Sequence, residues 1–336
     1  MIRLLISISL FLVLLAGCTQ AIVRPGELAS RPLFRDPVFD GAADPVVVWN
    51  QKEQKWFMFY TNRRANVEDL DGVSWVHGTH IGVAESVDGG ATWRYRGVTN
   101  IPSPYDETQW APEVIEYEGH YHMYLTYVPG VFQDWNHPRD IIHLTSDNLI
   151  DWKYESTLDL ASERVIDANI ARLPNGHWRM WYNNEVDGKS IYFADSEDLY
   201  HWKDRGKAVG DQGGEGPKVF LWKNKYWMLT DVWDGLALYR SDDLKSWGRV
   251  SGNLLRKPGT GPDDGVKGQH PDVVVNNDRA FLFYFTHPGR IDSIPEENRR
   301  EKRRSSIQVV ELEYTDGRIT CDRNKSTYLN LQPPKN

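Results

Sequence analysis

A chain of 336 residues, 40% of them hydrophobic, can bury a large core in one domain or two. Its 39 Lys and Arg against 47 Asp and Glu leave a formal charge of −8 without a basic stripe or tail, which sets nucleic acid aside as a partner. Cysteine is scarce, with Cys321 the only one past the first eighteen residues, so no disulfide framework is available and stability must come from packing.

Residues 1–18 read as a leader. Met1-Ile2-Arg3 supplies a positive start, and the apolar run 4–15 is too short for an ordinary membrane-spanning helix. The run ends in Leu15-Ala16-Gly17-Cys18, which resembles the lipobox of a bacterial lipoprotein. The resemblance implies cleavage before Cys18, lipidation of its sulfur, and a membrane attachment through that lipid alone. Thr19 and Gln20 follow Cys18 in place of an acidic residue, which resembles outer-membrane sorting. A plain secretory signal cleaved nearby is the alternative. Residues 19–37, with Pro25, Gly26 and Pro32 and no periodicity, suit a tether.

From residue 38 to 322 the chain reads as strand after strand, with short apolar and aromatic runs between Gly, Asn and Asp turns and no sustained helical period. Five stretches start equivalent units: Ala43-Asp44-Pro45, Ala111-Pro112-Glu113, Ile166-Asp167-Ala168-Asn169, Gly214-Glu215-Gly216-Pro217 and Gln269-His270-Pro271-Asp272. Four strands follow from each start, at 44–49, 55–61, 80–85 and 93–97 in the first unit and at 272–275, 280–286, 307–314 and 318–321 in the last. Four strands make one blade, so the expected fold is all-β, a five-bladed propeller of four-stranded blades around a central channel. Residues 323–336 are left as a tail.

A second repeat supports the count. Asp88, Asn148, Asp198 and Asp243 each stand in a turn shortly before Trp93, Trp152, Trp202 and Trp247. The first of these turns, Ser86 through Trp93, resembles the Asp-box of sialidases. An Asx-type turn accepts its own backbone N–H groups, so the role expected for these residues is structural.

Opening strands line the channel of a propeller, so residues at equivalent strand starts converge at one end of it. Asp44, Asp167, Glu215 and His270 therefore share a pocket, where like charges push carboxyl pKa values apart and create acid and base roles. Taken singly, Asp44 before Pro45 is an ordinary turn residue and His270 an ordinary core histidine; the corresponding positions carry the functional reading. Glu113 belongs to the same ring without an assigned role.

The order Asp44, Asp167, Glu215, His270 on five blades resembles glycoside hydrolase family 43 over roughly residues 36–320, and Glu215-Gly216-Pro217 before a strand is similar to that family's acid motif. The resemblance implies inverting hydrolysis with Asp44 as general base, Glu215 as general acid and Asp167 tuning the acid. It also implies an axial His270 near a candidate calcium ion at the channel centre, and no organic cofactor. The Gly41-Ala42-Ala43 lead-in to Asp44 and the absence of Pro after Asp167 depart from the pattern, and family 117 is the alternative affiliation.

The expected partner is an oligosaccharide or polysaccharide of plant or algal origin, trimmed of arabinose, xylose or an acidic sugar. Trp75, Trp110, Trp135 and Trp233 are candidates for stacking on sugar rings, with packing as the alternative for each. Arg63, Arg64, Arg139 and Arg290 are candidates for a carboxylate or sulfate on the substrate, since guanidinium pairs such anions in two-pronged fashion. His77 and His80 lack further ligands and do not make a zinc site. The cluster 299–304 reads as a solvated loop. Two rival classes stay open: a non-catalytic sugar-binding propeller, and a glycoside phosphorylase with Arg63 and Arg64 around phosphate.

Overall fold

A computed structural model describes residues 26–102 and 107–334. Its strands form five antiparallel four-stranded sheets and one two-stranded ribbon. The ribbon pairs β1 (Glu27–Leu28) with the last strand, β22 (Tyr328–Leu329). Blade one holds β2 (Ala42–Asn50), β3 (Lys55–Asn62), β4 (Ile81–Ser86) and β5 (Arg94–Val98); blade two β6 (Thr108–Tyr117), β7 (His120–Val128), β8 (Asp140–Ser146) and β9 (Lys153–Thr157). Blade three holds β10 (Val165–Arg172), β11 (Trp178–Asn184), β12 (Ser190–Ser196) and β13 (Trp202–Val209). Blade four holds β14 (Glu215–Trp222), β15 (Lys225–Asp231), β16 (Leu236–Ser241) and β17 (Gly248–Leu254); blade five β18 (Gln269–Asn276), β19 (Arg279–Thr286), β20 (Ser306–Thr315) and β21 (Arg318–Cys321). The first strands of successive blades touch in a closed ring, β18 meeting β2. The protein is a five-bladed β-propeller.

Burial explains the strand sequences. Second strands are squeezed between neighbouring blades on both faces, so β3 carries an unbroken run Trp-Phe-Met-Phe-Tyr instead of alternating and is buried at every position after Lys55. Fourth strands lie at the outer edge, and β5 and β13 alternate exposed and half-buried positions rich in Arg and Lys, as a protected sheet edge should. One apolar cluster fills each blade junction: Phe57 and Phe59 meet Met123 and Leu125 between blades one and two, and Trp227 and Leu229 meet Leu282 and Tyr284 between four and five.

Closure between blades five and one uses residues expected to lie outside the fold. The leader, including Cys18, lies outside the described residues. From Gly26 onward, however, the expected tether is packed: Ala29, Leu33 and Phe34 join the core between blades one and five, and Asp36 accepts hydrogen bonds from the Tyr60 hydroxyl and the Asn62 amide. The expected tail is packed as well. Leu329 and Leu331 are buried in that same core, the Trp56 indole donates to the Leu331 carbonyl, and Arg323 forms a buried ion pair with Asp264. A ring closed from strands of one chain leaves its seam open, and both chain ends bury apolar side chains there.

The rim turns behave as expected. Asp198 accepts backbone N–H groups of Tyr200 and His201, Asp243 those of Lys245 and Ser246, and the Trp202 indole donates to the Leu199 carbonyl. The cluster expected as a solvated loop is different: Arg299–Arg303 forms a one-turn helix, α1. Its Arg303 is buried, donates to the Leu70 carbonyl and lies over the Trp75 ring, so it clasps the blade-one insertion.

Candidate active site

All five opening strands carry a β-bulge where they reach the channel mouth, between Ala43 and Val46, Trp110 and Glu113, Ile166 and Asn169, Glu215 and Lys218, and Gln269 and Asp272. In each bulge one residue takes the left-handed conformation: Asp44 (φ 52), Ala111 (φ 42), Asp167 (φ 60), Gly216 (φ 55) and His270 (φ 40). Such a bulge bends the strand and re-aims its side chains, here toward the axis. Only glycine fits at 216, because a Cβ there would lie 2.9 Å from the His270 Nδ1. The equivalence read from the sequence is therefore right for Asp44, Asp167 and His270, off by one residue for Glu215, and off by two for Glu113. Glu113 stands past the bulge, in a deeper ring.

Asp44, Asp167, Glu215 and His270 line one cavity of about 500 Å3. Asp44 is the most enclosed, with 5% of its side chain exposed, and Glu215 the most open, with 25%. Arg63 fixes Asp44: its Nη2 donates to both carboxylate oxygens at 3.1 Å, while its Nη1 lies 3.2 Å from the His287 Nε2. The His287 Nδ1 lies 2.9 Å from the Arg304 carbonyl, which makes Nδ1 the protonated nitrogen and Nε2 the acceptor for Arg63. The His270 Nδ1 stands 3.4 Å from Asp44 and 4.0 Å from Asp167.

The carboxyl groups differ in the direction of their pKa shifts. Burial pushes Asp44 up, but the Arg63 guanidinium, with help from His270 and Thr61, outweighs it and holds this carboxyl below the ordinary range. For Asp167, burial and then the charges of Glu215 and Asp44 raise the pKa well above the ordinary value, against a hydrogen bond from the Gly216 N–H at 3.0 Å. Withdrawal from water raises Glu215 too; Lys189 opposes this and Asp44 adds to it. Burial lowers the His270 pKa, against the charge of Asp44. One carboxyl at the base of the cavity is held below the ordinary range, and carboxyls raised above theirs face it.

Sequence reasoning missed a further member, Asp231. It ends β15 directly across from Glu215 in register, is fully buried, and accepts the backbone N–H groups of Trp233 and His270. Burial and the Glu215 charge push it up to about 7. The hairpin with its turn at Lys223 and Asn224 is the signal that pairs these two carboxyls. Glu185 and Lys189 were also missed; Lys189 lies 3.4 Å from Glu185 and 3.7 Å from Glu215.

The expected aromatic and cationic groups divide. Trp75, Trp110 and Trp233 line the cavity, but Trp75 and Trp110 are only 8% exposed and act chiefly as wall. Trp110 donates to the Val76 carbonyl and packs against Trp135, which is 51% exposed at the rim and offers the open stacking face. The Trp233 indole donates to the Glu215 Oε1 at 3.2 Å. Arg63 and Arg290 line the cavity; Arg64 does not, and spends its guanidinium on the Ser74 carbonyl, bracing the insertion. Arg139 lies 3.1 Å from Glu185 and is likewise committed. Arg164 and Arg290 reach the cavity with no ion-pair partner among the described residues, and burial with the nearby Arg63 pulls Arg290 down to about 10.

The residues around His270 do not suit calcium. That ion takes six to eight oxygen ligands, and no group of three or more His, Cys, Asp or Glu able to hold a metal occurs among the described residues. Below His270 the acidic groups Glu113 and Asp272 already face the Lys218 ammonium, at 3.3 Å and 2.7 Å.

No family model matches the sequence, and no curated protein does. Solved structures do match. A thermostable family-43 glycoside hydrolase is 21% identical with a TM-score of 0.63, covering 89% of this chain and 98% of its own. A family-43 β-1,3-galactosidase solved with galactodeoxynojirimycin is 14% identical with a TM-score of 0.64, covering 91% and 100%. An endo-1,4-β-xylanase from Bacteroides thetaiotaomicron is 18% identical with a TM-score of 0.62, covering 88% and 98%. The chain thus has the five-bladed fold seen in family-43 glycoside hydrolases. At these identities the likeness is one of fold, and the chemistry has to be argued from the site.

Proposed function

We propose that the protein is an inverting, exo-acting glycoside hydrolase. The observation that carries this reading is a pair of carboxyls in unlike settings in one cavity: Asp44 gripped through both oxygens by Arg63 and held low, and Glu215 raised and a quarter exposed to the cavity. Glycoside hydrolysis needs one protonated and one ionised carboxyl on opposite sides of a sugar. In the proposed step Glu215 gives its proton to the glycosidic oxygen as the bond from that oxygen to the anomeric carbon breaks. Water attacks the anomeric carbon from the other face and loses a proton to Asp44. Asp167, bonded to the Gly216 N–H beside the acid, orients Glu215. Exchange with solvent returns the proton from Asp44 to Glu215.

The fold neighbours include enzymes described as a xylosidase, an arabinofuranosidase, a galactosidase and a xylanase, which supports a carbohydrate substrate without choosing among sugars. Arg164 and Arg290, which have no ion-pair partner among the described residues, favour a plant or algal sugar with an anionic substituent. A phosphorylase is disfavoured, since Arg63 is committed to Asp44 and Arg64 stands outside the cavity. A lipid anchor at Cys18 in the outer membrane is part of the proposal, resting on the leader sequence alone; labelling with a fatty-acid probe, lost in Cys18→Ser, tests it.

The test of function is hydrolysis of a panel of neutral, uronic and sulfated glycosides. Release of one monosaccharide by the wild type and not by Glu215→Gln is expected, with Arg290→Gln losing rate on anionic glycosides only. Sugar binding without hydrolysis across the panel would put the non-catalytic reading ahead.

A further inference from the structure

Beneath the catalytic ring, one step along each opening strand past its bulge, lie Val46, Glu113, Asn169, Lys218 and Asp272. Four of these five are polar, and they are bonded across the axis. The Lys218 Nζ lies 2.7 Å from the Asp272 Oδ1 and 3.3 and 3.4 Å from the two Glu113 oxygens. The Asn169 amide donates to the Glu113 Oε1 at 2.7 Å, and its oxygen accepts the Val219 N–H at 2.8 Å. The free oxygen of Asp272 accepts the Val47 N–H at 2.9 Å. Every blade therefore contributes one bonded group, and the ammonium side chain is only 14% exposed.

Two carboxyl groups this deep would repel each other without a cation between them. Burial alone would lower the Lys218 pKa, but Asp272 and Glu113 reverse that, so it stays charged. A divalent ion at the axis would have to displace an ammonium that already makes three contacts with the available oxygens.

We propose that Lys218 is the resident cation of the propeller axis, joining all five blades through Glu113, Asn169 and Asp272 in place of a bound divalent ion. This goes beyond the glycosidase reading and stands without it, because its test reads melting temperature and ion binding instead of turnover.

The wild-type melting temperature should not move on dialysis against EDTA or on adding millimolar calcium. Lys218→Met, which keeps the stem and removes the charge, should lower it by roughly 5 to 10 °C. Adding Glu113→Gln and Asp272→Asn to Lys218→Met should recover at least half of that loss, which a purely steric role would not produce. Lys218→Ala frees the oxygens, so calcium should raise the melting temperature of this variant and not that of the wild type. A wild type that loses stability in EDTA and regains it with calcium would overturn the proposal, as would a Lys218→Met protein that melts like the wild type or a triple variant no better than the single. Should Lys218→Met fail to fold, the EDTA result and the folding of the triple variant decide.

Discussion

Acidic residues recur in blades one, three and four in two places, at the outer rim (Asp88, Asp198 and Asp243) and at the channel mouth (Asp44, Asp167 and Glu215), and the two sets have opposite energetics. At the rim, Asp243 accepts the N–H groups of its own turn, which hold its carboxyl down at about 2. Ser86 and Thr92 bond Asp88 in the same manner, and its pKa is lowered despite partial burial. At the mouth, Asp167 and Asp231 are buried among other carboxyls and are raised. A repeated Asp thus marks structure where its lone pairs are met by its own turn. Where three blades aim such groups at one another, their pKa values are driven apart instead.

The largest effect expected on breaking the mouth is on turnover. Glu215→Gln and Asp44→Asn should each lower kcat by about 10²- to 10⁴-fold on natural glycosides, with the melting temperature little changed. Next comes the proton balance. Activity should fall as pH drops through the low pKa of Asp44 and again as pH rises through the raised pKa of Glu215, giving a bell. Asp231→Asn removes a negative neighbour, so the alkaline limb of the kcat profile should move to lower pH; an unmoved limb would separate Asp231 from the acid.

A smaller effect is expected between the blades. His122 and His143 lie in contact at 2.9 Å and stack against Tyr124, and burial lowers their pKa values to about 4 and about 3. Unfolded histidine titrates near 6.5, so the stability gained by keeping these rings neutral is complete above that pH and is lost as pH falls toward 3. His143→Phe keeps the stack and removes one titration, so thermal melts should show a smaller drop from pH 7 to pH 4. The smallest effect belongs to the rim: Asp198→Ala removes the acceptor for two backbone N–H groups and should cost about 1 kcal/mol with kcat untouched.

The fold was legible because each blade repeats an opening motif and an apolar second strand, and four of the five add an Asp- or Asn-to-Trp turn. Asp44, Asp167 and His270 were legible because the bulge recurs at their positions. What escaped were groups whose roles depend on pairing across elements. Asp231 looks like any strand end until β15 is laid against β14. Arg64 and Arg63 are adjacent in sequence yet point to different neighbours, one bracing the insertion and one gripping Asp44. The packed chain ends escaped for a related reason. Ala29, Leu33, Phe34, Leu329 and Leu331 show no strand period, and only the seam between blades five and one gives them a place to be buried.

The most direct test of the split between acid and base is to vary the leaving group. On a glycoside whose departing phenolate needs no proton, Glu215→Gln should regain rate close to the wild type, whereas Asp44→Asn should stay inactive on that substrate and on natural ones alike. Equal losses for both variants with the activated leaving group would contradict the assignment of Glu215 as the acid.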